Sequence, residues 1–275
     1  MQQTSAFFSL MSGKIQTLIR GRRPSGEIQD IAKEIDKKNI EGFFSHEEGE
    51  LLYYLAAGCP KNATIVEIGS WKGRSTCWMG KASKNYSQAK IYAIDPHIGS
   101  PEHQGKDPVN TFQQFEKNLK KLDVFNRVTS IVKFSHQAIN DIKEEIDLLF
   151  IDGAHEYEAV KKDFDLWFPK LREGGIIAFH DSVGKGWPGV HRLIKEKIFS
   201  SQNFRDIRFI GTITFATKIQ QNSFWQRRKN SLIQTLKALH EIRKTMPKAY
   251  RNLEHHLIKR RIQRRWIHHL MKKVI

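Results

Sequence analysis

The sequence predicts an α/β fold: an open sheet of five parallel strands, closed by an antiparallel pair and followed by a basic helical extension. Three observations carry this. Short β-rich runs alternate with longer helical patterns over residues 42–218, the arrangement that places helices on both faces of a parallel sheet. The last two β runs, 207–210 and 212–215, are separated only by Gly211, too little chain for a crossover helix, so they pair antiparallel. The formal net charge of +17 is uneven: residues 221–275 hold 15 Lys/Arg and two acids, leaving 31 basic against 27 acidic residues in the first 220. A nearly neutral body with a cationic extension follows, which a whole-chain charge would hide.

Three segments are expected: an N-terminal helical segment at 1–40, a body at 41–220 and a basic amphipathic helical tail at 221–275. Residues 1–40 show a weak helical pattern and no acid before Glu27. Run 64–69 reads as a buried strand ending in a turn, 90–95 as a second and 128–132 as a third. Run 147–152 is the fourth strand and 176–181 the fifth. Between them Tyr157, Val160, Phe164, Trp167, Phe168 and Leu171 recur at helical spacing, and Gly174-Gly175 reads as the helix stop. One further helix is expected at about 188–199. In the tail, Leu232, Leu236, Leu239 and Ile242 make one seam, which Pro247 interrupts. A second stripe runs from Leu253 to Val274, with Trp266 on it and Arg260, Arg261, Arg264, Arg265 and Lys272 opposite.

Composition narrows the class. The chain is 39% hydrophobic and 27% charged, ordinary globular values that exclude collagen-like, disulfide-scaffold and wholly disordered chains. Two cysteines, Cys59 and Cys77, cannot staple a fold this size, so a reducing, cytoplasmic setting is expected. No apolar run reaches the roughly 20 residues that span a bilayer.

Ligands of open parallel sheets bind beyond the carboxyl ends of the strands. Each strand here ends in a polar residue or glycine. The first delivers Glu67-Ile68-Gly69-Ser70-Trp71-Lys72-Gly73-Arg74-Ser75-Thr76, a glycine turn with Trp71 where a dinucleotide fingerprint needs its second glycine, so NAD is disfavoured. The second ends in Asp95, an acid able to accept hydrogen bonds from ribose hydroxyls.

Together with Gly42 to Leu52, the runs Val66 to Thr76, Asp95-Pro96-His97-Ile98-Gly99-Ser100, Phe150 to Tyr157 and Gly174 to Ser182 resemble class I S-adenosylmethionine-dependent methyltransferases. The closest likeness is to the branch of bacterial sugar and antibiotic O-methyltransferases, in order over about residues 40–218. Ala154 and Gln137 depart from the pattern, each standing where an acid is usual. The resemblance implies a Rossmann-like seven-stranded sheet and S-adenosylmethionine as methyl donor. Glu67, Gly69, Ser70 and Gly73 would hold its methionine part and Asp95 the ribose, with Phe134 or Ser135 beside the adenine and Asp152 completing the site. It also implies a divalent-metal site of Asp152, His180 and Asp181, whose oxygen donors with one imidazole suit Mg or Mn. His155, three residues after Asp152, is the expected proton acceptor, with Asp152 the second catalytic residue.

Plainer roles stay open for these residues. Asp152 before glycine could end a strand or cap a helix, His155 could be a first-turn helix residue, and His180-Asp181 a hydrogen-bonded pair without metal. The expected activity is O-methylation of a hydroxyl, by resemblance that of a sugar in a glycan or natural product. Two alternatives stand beside it: an RNA methyltransferase clamped by the tail, and a non-catalytic binder of the cofactor. Nucleic acid is disfavoured, because no Asn/Asp-Pro-Pro-aromatic motif and no RNA-binding module is present. The tail suits the headgroup region of an anionic membrane, peripheral on the inner face, and its apolar stripe could also pack on a second subunit.

Overall fold

A computed structural model of the chain describes residues 26–99, 109–184 and 186–245. The stripe from Leu253 to Val274, with Trp266, and residues 1–25 lie outside the described residues. The sheet has seven strands in the order β3-β2-β1-β4-β5-β7-β6. They are β1 Thr64–Ile68, β2 Lys90–Ile94, β3 Val128–Ile131, β4 Ile146–Ile151, β5 Leu171–Phe179, β6 Phe204–Ile210 and β7 Ile213–Lys218. The first five pair parallel, and β7 runs antiparallel between β5 and β6. This is the seven-stranded Rossmann-like sheet expected.

Helices cover both faces. α1 Gly26–Lys37, α2 His46–Ala57, α3 Arg74–Ala82 and α4 Phe112–Lys121 belong to one side, where Ile35, Leu51, Trp78, Phe115 and Phe150 are buried together. A single turn α5 Ser135–Ala138, then α6 Tyr157–Trp167 and α7 Pro188–Leu193, lie on the other, around Leu149, Trp167, Phe179 and Ile194. Both faces of the central strands are therefore apolar, and β1 is buried along its whole length. With those faces covered, a ligand meets the central strands at their carboxyl edge.

Two local expectations are corrected. The helix after β4 stops at Trp167, followed by a tight turn Phe168–Lys170 that contains Pro169, not at Gly174-Gly175. The glycines lie inside β5, where the register with β4 shifts between Ile146 and Leu148. Gly174 has φ +77, and a Cβ on Gly175 would meet Arg172 O at 2.9 Å and Ile146 O at 3.1 Å, so this bulge needs both glycines.

α8 Phe224–Thr245 lies against β6. Asn230 Nδ2 donates to Phe204 O at 2.9 Å and Lys229 pairs with Asp206 at 3.2 Å. Of the seam residues, Leu239 and Ile242 are over half exposed. Among the described residues no helix is long and apolar enough to cross a membrane.

Candidate active site

The carboxyl edge carries a cavity of about 630 Å³, lined from the glycine turn through Asp95, Phe134, Ser135 and Asp163 to Asp152, His155 and Asp181. The glycine turn is a backbone construction. Gly69 has φ +83, and a Cβ there would sit 2.1 Å from Asp152 O. Asp95 fastens the turn: Oδ2 accepts from the Ser70 and Trp71 amides at 2.8 and 2.7 Å, and Oδ1 from the His97 amide at 2.7 Å. A carboxylate offers about four acceptor positions, so capacity for a ribose hydroxyl remains.

The cofactor residues named from the sequence divide. Gly69, Ser70, Asp95, Ser135 and Asp152 line the cavity. Glu67 and Gly73 do not; they support the turn from beneath. Glu67 is fully buried and accepts from Ser75 Oγ and Thr76 Oγ1 at 2.5 Å each, while Gly73 starts α3 at φ +84 against Phe115. Burial pushes the Glu67 carboxyl up to about 8, against the two hydroxyl bonds.

The ends of β4 and β5 assemble a charged group. His180 Nδ1 lies 3.0 Å from Asp152 Oδ1 and 3.0 Å from Asp181 Oδ2, so one N–H is shared between two carboxylates. Its Nε2 faces Glu48 Oε1 at 3.8 Å, and Phe44 stacks on the ring at 4.9 Å. Burial opposes charge on His180, but Asp152, Asp181 and Glu48 outweigh it and push the imidazole up to about 12. Burial likewise opposes the Asp181 carboxylate, yet hydrogen bonds from His155 and His180 hold it well below its usual range. One imidazolium among three carboxylates leaves this end of the cavity net negative.

His155 Nε2 is 3.1 Å from Asp181 Oδ2, and the ring stacks on Trp187 at 3.9 Å. Asp152, His155 and Asp181 each offer a donor atom within 4.8 Å of the others, the one such group among the described residues. His180 stands outside that set, differing from the trio read from the sequence, because its Nδ1 already donates to both carboxylates.

Sequence reasoning missed Glu48, Phe43, Phe44, Ser75, Asp163 and Trp187 as parts of the site. Glu48 had a legible signal. Ser45-His46-Glu47-Glu48 is a capping box at the start of α2, and Glu48 Oε1 also accepts from Thr212 N and Oγ1 at 2.7 Å each.

Residues 66–182 match a family model described as a methyltransferase domain. A protein R132 of Acanthamoeba polyphaga mimivirus is 27% identical over 172 residues, 58% of this chain and 72% of that protein. Among solved structures, cofactor-bound Rv0187 from MTB is similar at TM-score 0.52 and 16% identity, covering 77% of this chain and 96% of the other. The O-methyltransferase TomG from Streptomyces achromogenes, solved in complex with SAM, is similar at TM-score 0.50 and 17% identity, covering 75% and 96%. At such identities these structures speak for the fold, and the family match speaks for the domain. The strand order, the glycine turn with its carboxylate and the match over residues 66–182 converge: this chain carries a class I S-adenosylmethionine-dependent methyltransferase domain.

Proposed function

We propose that the chain methylates a hydroxyl, that of a sugar in a glycan or natural product, with His155 as proton acceptor. The observation that carries this is the Asp152–His155–Asp181 group on the cavity wall. S-adenosylmethionine, when bound, supplies a methyl group on a positively charged sulfur, and the net negative end of the cavity favours that charge. An alcohol attacks poorly until its proton leaves. Asp181 is a poor acceptor for it, because hydrogen bonds from His155 and His180 hold its carboxyl well below the usual range. His155 is the better base: Asp181 Oδ2 takes the proton on Nε2, which leaves the lone pair on Nδ1. Stacking on Trp187 fixes the ring plane.

Asp152 and Asp181, the oxygen donors beside His155, would hold a divalent cation, Mg or Mn by their chemistry, which would lower the pKa of an oxygen it binds. Thorough chelation is expected to cut the rate and Mg or Mn to restore it. A rate unchanged by chelation removes the cation from the reading and leaves His155 as base.

Phe43, Trp71 and Trp187 line the cavity, giving apolar ring faces that suit the C–H face of a sugar. The test is methyl transfer from labelled S-adenosylmethionine to a panel of free sugars, nucleotide sugars and lipid-linked glycans, with RNA alongside. Label on a sugar hydroxyl is expected, and label on RNA alone overturns the proposal. The basic chain beyond Thr245 supports a further reading, attachment to anionic lipid at about 1 kcal/mol per Lys or Arg. Vesicle co-sedimentation should compare the full chain with one ending at residue 245, because α8 packs on β6. Equal pelleting of the two overturns it.

A further inference from the structure

α8 is amphipathic in the opposite sense to a helix that merely packs on a body. Asn230, Ile233, Lys237 and Glu241 recur at spacings of three and four, so they share one face. That face is turned inward. Asn230 and Lys237 are buried, Ile233 packs into the core, Lys237 Nζ lies 2.6 Å from Glu241 Oε1, and Glu241 also accepts from the Gly184 amide at 3.4 Å. Phe224, Arg228, Leu232 and Leu239 fall on the opposite face, with Trp225 and Leu236 at its border. Trp225 is 78% exposed, Leu239 57% and Phe224 52%. A helix with no other surface to meet would place its polar residues outward and its apolar ones inward.

The charge on α8 selects what covers the outward face. Its sequence holds Arg227, Arg228, Lys229, Lys237, Arg243 and Lys244 against one acid, Glu241, which is turned inward and paired with Lys237. Arg228 lies over the Phe224 ring at 5.2 Å, and Phe224 meets the Trp225 ring edge-on at 5.4 Å. A second copy of α8 would set like charges against like. A nucleic acid would satisfy the arginine and leave Leu232 and Leu239 in water. An anionic lipid surface answers both features: apolar side chains enter the acyl boundary, the indole sits at headgroup level and the basic heads meet phosphate.

We infer that the outward face of α8, from Phe224 to Leu239, lies on an anionic membrane surface. This contact is separate from attachment through the chain beyond Thr245, because its residues belong to the folded body. Asn230 and Lys229 hold α8 to β6, and Glu241 holds it to the loop that follows Asp181. A membrane-bound α8 therefore keeps the β5 end of the cavity in a fixed relation to the lipid.

The test uses the full chain carrying Leu239→Cys, labelled with a polarity-sensitive dye. Cys59 and Cys77 are buried, so the introduced thiol is the one that reacts. Vesicles of phosphatidylcholine with phosphatidylglycerol are compared with phosphatidylcholine alone. The dye is expected to shift to the blue with the anionic vesicles and to return as salt is added. A Gln113→Cys label, exposed on α4, should stay unshifted. Phe224→Ser combined with Trp225→Ser should weaken vesicle binding by about tenfold or more, since two large apolar side chains no longer leave water. A thermal melt reports folding of each variant separately. Pelleting of the full chain with an unshifted label at residue 239 keeps attachment through the chain beyond Thr245 and overturns the α8 face. Equal pelleting of the full chain and the chain ending at residue 245, with the label shifted, fails that attachment and supports α8. Equal shifts at residues 113 and 239, or unchanged affinity in the folded double variant, overturn the inference. A shift that grows with protein concentration in the absence of lipid, or one seen with RNA oligomers alone, overturns it as well.

Discussion

At the glycine turn the residues proposed to hold the cofactor lie within residues 67–76 of one β1–α3 connection, with Asp95 reaching in from β2. At the β4–β5 edge Glu48, Asp152, His155, His180 and Asp181 come together from separate stretches between residues 48 and 181. The first region is made of backbone, held by positive φ and by amides that donate to one carboxylate. The second is made of side-chain charge. Substitutions should therefore separate them: shape changes damage the turn, and charge changes with shape kept damage the edge.

The largest effect expected is on the backbone side. Gly69→Ala asks an L residue to hold φ +83 with its Cβ 2.1 Å from the Asp152 carbonyl. Strain in that region and overpacking each cost about 1–3 kcal/mol, so a stability loss of about 4 kcal/mol is expected in denaturant unfolding. A loss below about 1 kcal/mol would mean the turn tolerates a side chain and the contrast fails.

Next is the charged edge. Asp181→Asn keeps the volume but removes the carboxylate that orients His155 and shares the His180 proton. A fall in kcat of about 10²–10⁴-fold is expected, with cofactor affinity within about threefold of wild type. An equal loss in both quantities would show that the edge binds cofactor rather than handling a proton.

What the sequence revealed follows the same division. The strand ends, the turn and Asp95 could be read because their spacing is local: β runs ending in Glu67-Ile68-Gly69 or Ile94-Asp95 are visible in a few residues. Glu48 could not be placed beside His180 by spacing, because β5 and α2 meet only in the folded sheet. Gly174-Gly175 misled for a related reason. Two glycines after a helical pattern fit a helix end, and only the β4 register shows them to be a bulge. Glu67 was correctly put at the end of β1, but spacing does not say whether a side chain points into the cavity or beneath it.

Asp95→Ala tests whether the turn needs its carboxylate after the glycines have shaped it. The Ser70, Trp71 and His97 amides lose their acceptor, and a bound ribose loses one too. Cofactor affinity should fall by about 1–3 kcal/mol in a direct binding measurement, with catalysis at saturating cofactor nearly kept. Unchanged affinity would reduce Asp95 to a loop residue.

The effect that depends on pH, and the one that tests the underside of the turn, concerns Glu67. Burial raises its carboxyl from 4.5 to about 8, with Asp152 and Asp95 adding to the rise and the Ser75 and Thr76 hydroxyls opposing it. A group raised in the folded state gives stability that is complete below its unfolded value and lost as pH climbs through the folded one. Between about pH 5 and 8 the unfolded chain is ionised at Glu67 while the folded chain retains the proton. Stability should thus fall with rising pH, by up to ~1.4 kcal/mol per pH unit from this group. Glu67→Gln mimics the neutral form and can still accept from a hydroxyl, so its unfolding free energy should be flatter over that window. The comparison is made by urea unfolding of both proteins at pH 5.5, 6.5 and 7.5 without ligand. Parallel curves would mean that Glu67 is ionised beneath the turn, held by its two hydroxyl donors, and that the backbone region carries a buried charge after all.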